Sequence, residues 1–480
     1  MQRNYLMCFR KVALMLMLGV SLILNSALAT SSSYTKAGKP YMGWHSTYVQ
    51  QFAGLGDSIS EQFLKCQTDW VAHNFKSYGY EWICLDGWIG SGNRHNADGY
   101  VTTFSDRWAG GWTEMANYVH SKGLKFGMYY NPVWVKKSIA DDTTLKINNT
   151  DLSIKSICRN DKMFEDWYMI DTNLPGAEQW VKGFISYFID CGVDMLKIDF
   201  LSYYEVDYED HERTMKLLKW CREAAADNLI LTLSMPLSFN HMQDERNYGD
   251  NIRVVKDYEK NGWKHTCSQN RGLLRDTTNS RENWPIADNV YDGLSWSSDI
   301  AGIDKFIASP DYYTFHDGAT PDEKKFALSI RVISGAAVEF GDSFNDIGGD
   351  ENANYLRNSE LMTLNAEGFC GKPLTRTPND PKNQIWKGIT TNGDYVVALF
   401  NRDDKVQSRS LNFSTDLGLN ESYQVRDLWA HANIGLLSSF SVNVPSHGVV
   451  VIRIFVNNPL PGNGEINPPK PLITNKYDNQ

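Results

Sequence analysis

The sequence predicts a (β/α)8 barrel followed by an antiparallel β-sandwich. Three observations lead there. Short apolar or β-rich runs recur over about 330 residues with amphipathic segments between them. Polar side chains gather at the C-terminal ends of those runs, where a barrel builds its mouth. After roughly residue 375 the pattern changes to short alternating strands separated by Gly, Asn and Asp turns.

In chain order the runs are "YMGWHST" (41–47), "WICLDGW" (82–88), "FGMYYN" (126–131), "MLKIDF" (195–200), "LILTLS" (229–234), "NIRVVKD" (251–257), "YDGLSW" (291–296) and "AAVEFGD" (336–342). Between them lie helical patterns at 61–75, 112–123, 177–192 and 322–335, the last two stopping at a glycine. Alternation of this kind also suits a doubly wound sheet; eight units favour the barrel. The barrel is placed at 36–372. "NQIWKGITT", "GDYVVALFNR", "SRSLNFST", "YQVRDLWAH" and "SHGVVVIRIF" read as strands of a sandwich at 378–456. The tail, 457–480, is rich in Pro and Asn and has little to bury, so disorder is expected there.

The first 29 residues read as an export signal. Arg3, Arg10 and Lys11 precede the apolar run "VALMLMLGVSLIL", and Ala27-Leu28-Ala29 offers a cleavage site. The run is short for a membrane span, and an exported protein, periplasmic or extracellular, is expected. Cleavage would take the net charge from −10 to −13, which argues against a nucleic-acid partner. Cys8 leaves with the signal, so seven cysteines remain, and an odd number leaves at least one thiol free or paired between chains. No CxxC or Cys/His cluster points to zinc. Aromatic residues make up 12% of the chain, with 15 Trp and 24 Tyr; this suits stacking on sugar rings or, equally, a large aromatic core.

Lys197 and Asp199 sit two apart on an apolar strand and so share one face. A satisfied internal ion pair and a catalytic carboxylate are the two readings. His45, Asp86, Tyr129, Asn131, Ser234 and Asp257 also fall at strand ends, and their convergence on one mouth favours the catalytic one.

"YMGWHS", "CLDGW", "ANYVHSKGLKFGMYYN", "CGVDMLKIDF", "RVVKD" and "VRDLWAH…VPSHGVVVIRI", in this order, resemble glycoside hydrolase family 27, the α-galactosidase and α-N-acetylgalactosaminidase family, from about residue 40 to 455. The resemblance implies a retaining exo-α-glycosidase with Asp199 as nucleophile and Asp257 as acid/base. Trp44, Asp86, Tyr129, Lys197, Ser234 and Arg253 would bind the sugar. Cleavage of a glycosidic bond needs such a pair of carboxyls in its own right. Lys197 would hold Asp199 ionised, and Asp257 would need partial burial or the Asp199 charge to stay protonated. An oligosaccharide or polysaccharide substrate and no cofactor are implied. A carbohydrate-binding protein on the same scaffold is the rival from another class.

The chain departs from the family pattern in several places. Read without a gap to Trp88, Leu85 replaces the first of two adjacent aspartates, removing the carboxylate expected at O6. That favours a sugar without C6, such as β-L-arabinopyranose, or one substituted at O6. Isomaltodextranases and β-L-arabinopyranosidases belong to the same family. Ser234 stands where α-galactosidases tend to have glutamate, whereas Leu237 keeps their bulkier choice over the α-N-acetylgalactosaminidase one. Leu201 replaces a cysteine that would pair with one near Cys158. The segment 132–175 is longer than the family's and would cover the pocket or extend it. Cleavage of terminal α-D-galactosyl residues is the expected activity.

Overall fold

The computed structural model describes residues 39–51, 59–86, 94–103, 107–164, 166–204, 208–234, 242, 244–258, 262–267, 287–303, 305–317 and 319–464. The expected export signal, Trp88, Leu237 and most of the expected disordered tail lie outside the described residues. No helix among the described residues is long and apolar enough to cross a membrane.

Eight short parallel strands form one sheet: β1 (Met42–His45), β2 (Trp82–Leu85), β3 (Lys125–Tyr129), β4 (Met195–Ile198), β5 (Ile230–Leu233), β6 (Asn251–Arg253), β7 (Ile307–Ser309) and β8 (Val338–Phe340). Consecutive strands pair from β1 to β7, and β8 pairs with β1. The ends of the sheet meet where Ala337 donates its N–H to the Ala308 carbonyl at 3.0 Å and Tyr313 bridges to Phe340. The result is a closed barrel.

Strand alternation sorts the side chains into two layers. Tyr41, Trp82, Cys84, Met195, Ile230, Ile307 and Ala337 point inward and form a core of their own. Their neighbours Met42, Trp44, Ile83, Leu85, Leu196 and Ile198 point outward, into a larger core shared with the helices. Both faces are buried, which is why the strands read as nearly continuous apolar runs. Gly43 lets β1 approach β2: a Cβ there would lie 2.4 Å from the Trp82 Cβ.

The surrounding helices include α1 (Glu61–Asn74), α2 (Gly111–Ser121), α3 (Ala177–Asp190), α4 (Tyr208–Ala225), α5 (Val290–Ser297) and α6 (Pro321–Ile333). Glycines with positive φ follow α3 and α6, as expected. The strand expected at 291–296 is a correction: those residues are α5. Asn289 caps it by accepting the Asp292 N–H, and Val290, Tyr291 and Leu294 bury one helical face. The true seventh strand has only three residues, too few to display a period of two.

The long segment after β3 folds into a three-stranded antiparallel sheet of Trp134–Lys136, Cys158–Phe164 and Trp167–Ile170. It is tied to α4 by charge. Arg159 and Arg213 both reach the buried Asp210, at 2.7 and 2.9 Å, and Arg213 also reaches Asp171 at 3.1 Å.

The C-terminal domain pairs a six-stranded antiparallel sheet with a two-stranded one. Two of its strands, Ala432–Leu437 and Ser439–Val444, were not among those expected. Val397, Leu399, Leu411, Val425, Ile452 and Ile454 fill the space between the sheets. The alternate residues Val396, Ala398, Phe400 and Val451 face the barrel and join its core. Trp386 donates to the Tyr291 hydroxyl at 2.8 Å, and Phe400 packs on Phe326 of α6. All seven cysteines beyond the expected signal are free thiols.

Candidate active site

The inward-facing polar side chains meet at the C-terminal ends of the strands. Asp86 follows β2 and is 5% exposed. Its Oδ2 accepts from Lys197 Nζ at 2.9 Å and from the Thr47 hydroxyl, and His45 Nε2 lies 3.6 Å away. Burial works against its charge, but Lys197, His45 and the Thr47 hydroxyl hold the carboxyl below the usual range.

Asp199 follows β4 and is 8% exposed. One oxygen accepts the Phe200 N–H at 2.7 Å, and the other lies 3.5 Å from Lys197 Nζ. Asn131 donates to its main-chain carbonyl. Phe200 takes φ +58°, a left-handed turn directly behind the carboxylate. Lys197 favours the ionised form of Asp199, as expected, but does not outweigh burial. Burial pushes the Asp199 carboxyl up, Lys197 opposes that, and the charges of Asp257 and Asp86 add to the rise. The lysine is committed more closely to Asp86.

Asp257 lies beyond β6, four residues after Arg253. Arg253 is 3% exposed, and its Nη2 donates to Asp257 Oδ1 at 2.5 Å and to Asp311 Oδ2 at 2.8 Å. The Asp257 side chain is 65% exposed, so the partial burial expected of it is not found among the described residues. Its charge is close enough to act on Asp199.

Between these groups is a narrow pocket. Asp86, Tyr129, Lys197, Ser234, Arg253 and Asp311 line it. Asp199 and Asp257 are not among its lining residues; each contacts one that is, Lys197 and Arg253. The Tyr129 hydroxyl and Ser234 Oγ are buried without a hydrogen-bond partner among the described residues. A buried hydroxyl with no partner costs free energy, and a ligand hydroxyl here would relieve it. Lys197 Nζ also lies 5.5 Å from the centre of the Tyr129 ring.

One sequence expectation changes here. Trp44 does not line the pocket: it is 0% exposed and packs in the outer core, because it is one residue out of phase with His45 on β1. Leu85 also packs in that outer core, yet it lines the pocket beside Asp86.

Asp311 and Glu339 were missed. Both face inward, Asp311 two residues beyond the end of β7 and Glu339 within β8. Misplacing the seventh strand hid Asp311; the tripeptide Ile307–Ser309 before Pro310 was the available signal. Glu339 accepts from the Ser309 hydroxyl at 3.3 Å and lies 4.0 Å from His45 Nε2. One cluster among the described residues, His316, Asp342 and Asp346, has the ligand types for a cation. It is built as a hydrogen-bond network, with the His316 ring nitrogens 2.6 Å from Asp342 and 2.7 Å from the Tyr48 hydroxyl.

Residues 40–158 match the family model of alpha galactosidase A, and residues 380–454 match that of the alpha galactosidase C-terminal beta sandwich domain. An isomalto-dextranase of Arthrobacter globiformis is 31% identical over 449 residues, covering 88% of this chain and 68% of the relative. The chain belongs to glycoside hydrolase family 27. The solved structure of the Arthrobacter globiformis T6 isomalto-dextranase complexed with panose aligns at a TM-score of 0.79, covering 88% of this glycosidase and 74% of that chain. A family 27 β-L-arabinopyranosidase from Geobacillus stearothermophilus shares the fold at 21% identity and a TM-score of 0.72, covering 90% of this chain and 100% of the other. An alpha-galactosidase A of Cellvibrio japonicus is 22% identical over 463 residues, 91% of this chain and 96% of the relative.

Proposed function

We propose that this glycosidase is a retaining exo-enzyme with Asp199 as nucleophile and Asp257 as acid/base. The observation that carries the reading is the pair of carboxylates just after β4 and beyond β6, with Asp199 3.5 Å from Lys197, Asp257 2.5 Å from Arg253, and the charge of Asp257 acting on Asp199. Asp199 attacks the anomeric carbon while Asp257 gives its proton to the leaving oxygen, and the C1–O bond breaks. A glycosyl ester on Asp199 results. Asp257, now a carboxylate, takes a proton from water as that water attacks C1 and displaces Asp199 with overall retention. Asp86, Lys197, Tyr129, Ser234 and Arg253 bind the sugar hydroxyls.

For the substrate, an α-linked glucan of the dextran type is favoured by the 31% identity to an isomalto-dextranase over most of the chain. Terminal α-D-galactosides are the second reading, supported by the two alpha-galactosidase domain matches. A polysaccharide substrate fits export directed by residues 1–29. Dextran, panose, aryl α-galactoside and aryl β-L-arabinopyranoside form the deciding panel, with NMR of the first anomer released. Turnover of dextran or panose far above the aryl galactoside is expected; the reverse ranking would sink the glucan reading. Release of the inverted anomer would sink the double displacement.

A further inference from the structure

We propose that Asp311 is a positioning residue that fixes the carboxylate of Asp257, acting through the Arg253 guanidinium and the main chain at Tyr258. The proposal rests on the reading of Asp257 as acid/base. A carboxyl that delivers a proton must stand within about 3 Å of the leaving oxygen, and a displacement of about 1 Å can cost on the order of 10²-fold in rate. Asp257 is largely exposed, and an exposed side chain does not hold one geometry by itself.

Asp311 supplies the missing constraint. It is 6% exposed, and its Oδ2 accepts two bonds at once. One is from Arg253 Nη2, at 2.8 Å, the same nitrogen that reaches Asp257 Oδ1 at 2.5 Å. The other is the N–H of Tyr258, at 2.8 Å, on the residue immediately after Asp257. One buried oxygen therefore holds both the side-chain partner of Asp257 and the backbone that carries it. The far end of Tyr258 is gripped by the same loop: its hydroxyl meets Thr314 Oγ1 at 2.6 Å and Asp317 Oδ2 at 2.5 Å. Asp311 itself takes φ +63°, a conformation that costs a non-glycine residue free energy and is kept where its surroundings demand it.

The test uses leaving groups. Asparagine tolerates the left-handed region, so Asp311→Asn removes the charge without forcing the backbone. Its kcat/KM is compared with wild type on the 2,4-dinitrophenyl and phenyl glycosides of the sugar cleaved best in the panel above. Asp257→Ala runs alongside. The dinitrophenolate departs without protonation, whereas the phenolate needs the acid. Asp311→Asn is expected to lose roughly 10- to 100-fold on the phenyl glycoside and little on the dinitrophenyl one, a weaker copy of the Asp257→Ala pattern. Equal loss on both substrates, or none, would overturn the proposal while leaving the acid/base reading intact. Absence of any leaving-group bias in Asp257→Ala would overturn that reading and the proposal with it. Should Asp311→Asn not fold, Asp311→Gly, equally suited to φ +63°, takes its place; failure of both to fold would assign Asp311 a purely structural role and overturn the proposal.

Discussion

Asp199 and Asp86 touch the same lysine, yet their environments drive them apart. Lys197 lies 2.9 Å from Asp86 and 3.5 Å from Asp199, and Asp86 has the Thr47 hydroxyl besides. Asp86 is held low and contributes stability that is present above its unfolded pKa and lost as pH falls through its folded one. Asp199 is the opposite case. Between the ordinary carboxyl value, about 4, and its own raised one, the native state keeps a proton that the unfolded chain releases, so stability falls as pH rises through that window. Asp199→Asn should therefore raise the melting temperature at pH 7, and the gain should shrink as pH falls toward about 4. Activity should fall on the order of 10⁴-fold or more, as expected when a nucleophile is removed. Melting curves across pH check the first outcome; a lower melting temperature than wild type at pH 7 would contradict the burial argument.

At the level of elements, the strands that place the site are short, and their inward residues alternate with outward ones. A reading one residue out of phase therefore puts a core residue in the pocket, as with Trp44. Two of the helices were easier to place because a glycine stops each of them, and the start of α6 carries a marker as well. Thr320 accepts the Glu323 N–H while the Glu323 carboxylate accepts the Thr320 N–H, and Pro321 opens α6. The other oxygen of Glu323 lies 2.7 Å from His447 Nδ1, so this helix start also anchors the sandwich. Thr320→Ala should cost about 1 kcal/mol in denaturant unfolding. A change below a few tenths would show that the cap is redundant beside the packing of α6.

Across the molecule, barrel and sandwich share one core and a buried ion pair. Arg402 of the sandwich meets Asp292 of α5 with two bonds, at 2.8 and 3.1 Å, and stacks on the Tyr291 ring at 4.5 Å. Neither charged group has water to fall back on. Arg402→Ala leaves a buried carboxylate facing its lost partner and should cost roughly 3 kcal/mol or more. Thermal melting measures the loss, and limited proteolysis should cut first near residues 372–384, between the last barrel elements and the sandwich strands. Unchanged melting would mean that the shared apolar face alone joins the two domains.

The sequence alone determined the class of fold, seven of the eight barrel strands and the glycine stops of two helices, and it pointed to the two carboxylates proposed for catalysis. These follow from apolar periodicity, capping chemistry and local spacing, which are written along the chain. Only the tertiary structure decided which side of each strand faces the pocket, and so removed Trp44 from it. It also brought Asp311, 58 residues further along the chain, onto Arg253. Strand phase is settled by which face the neighbouring elements bury, and a contact between distant residues exists only once the barrel closes; neither leaves a local mark in the sequence.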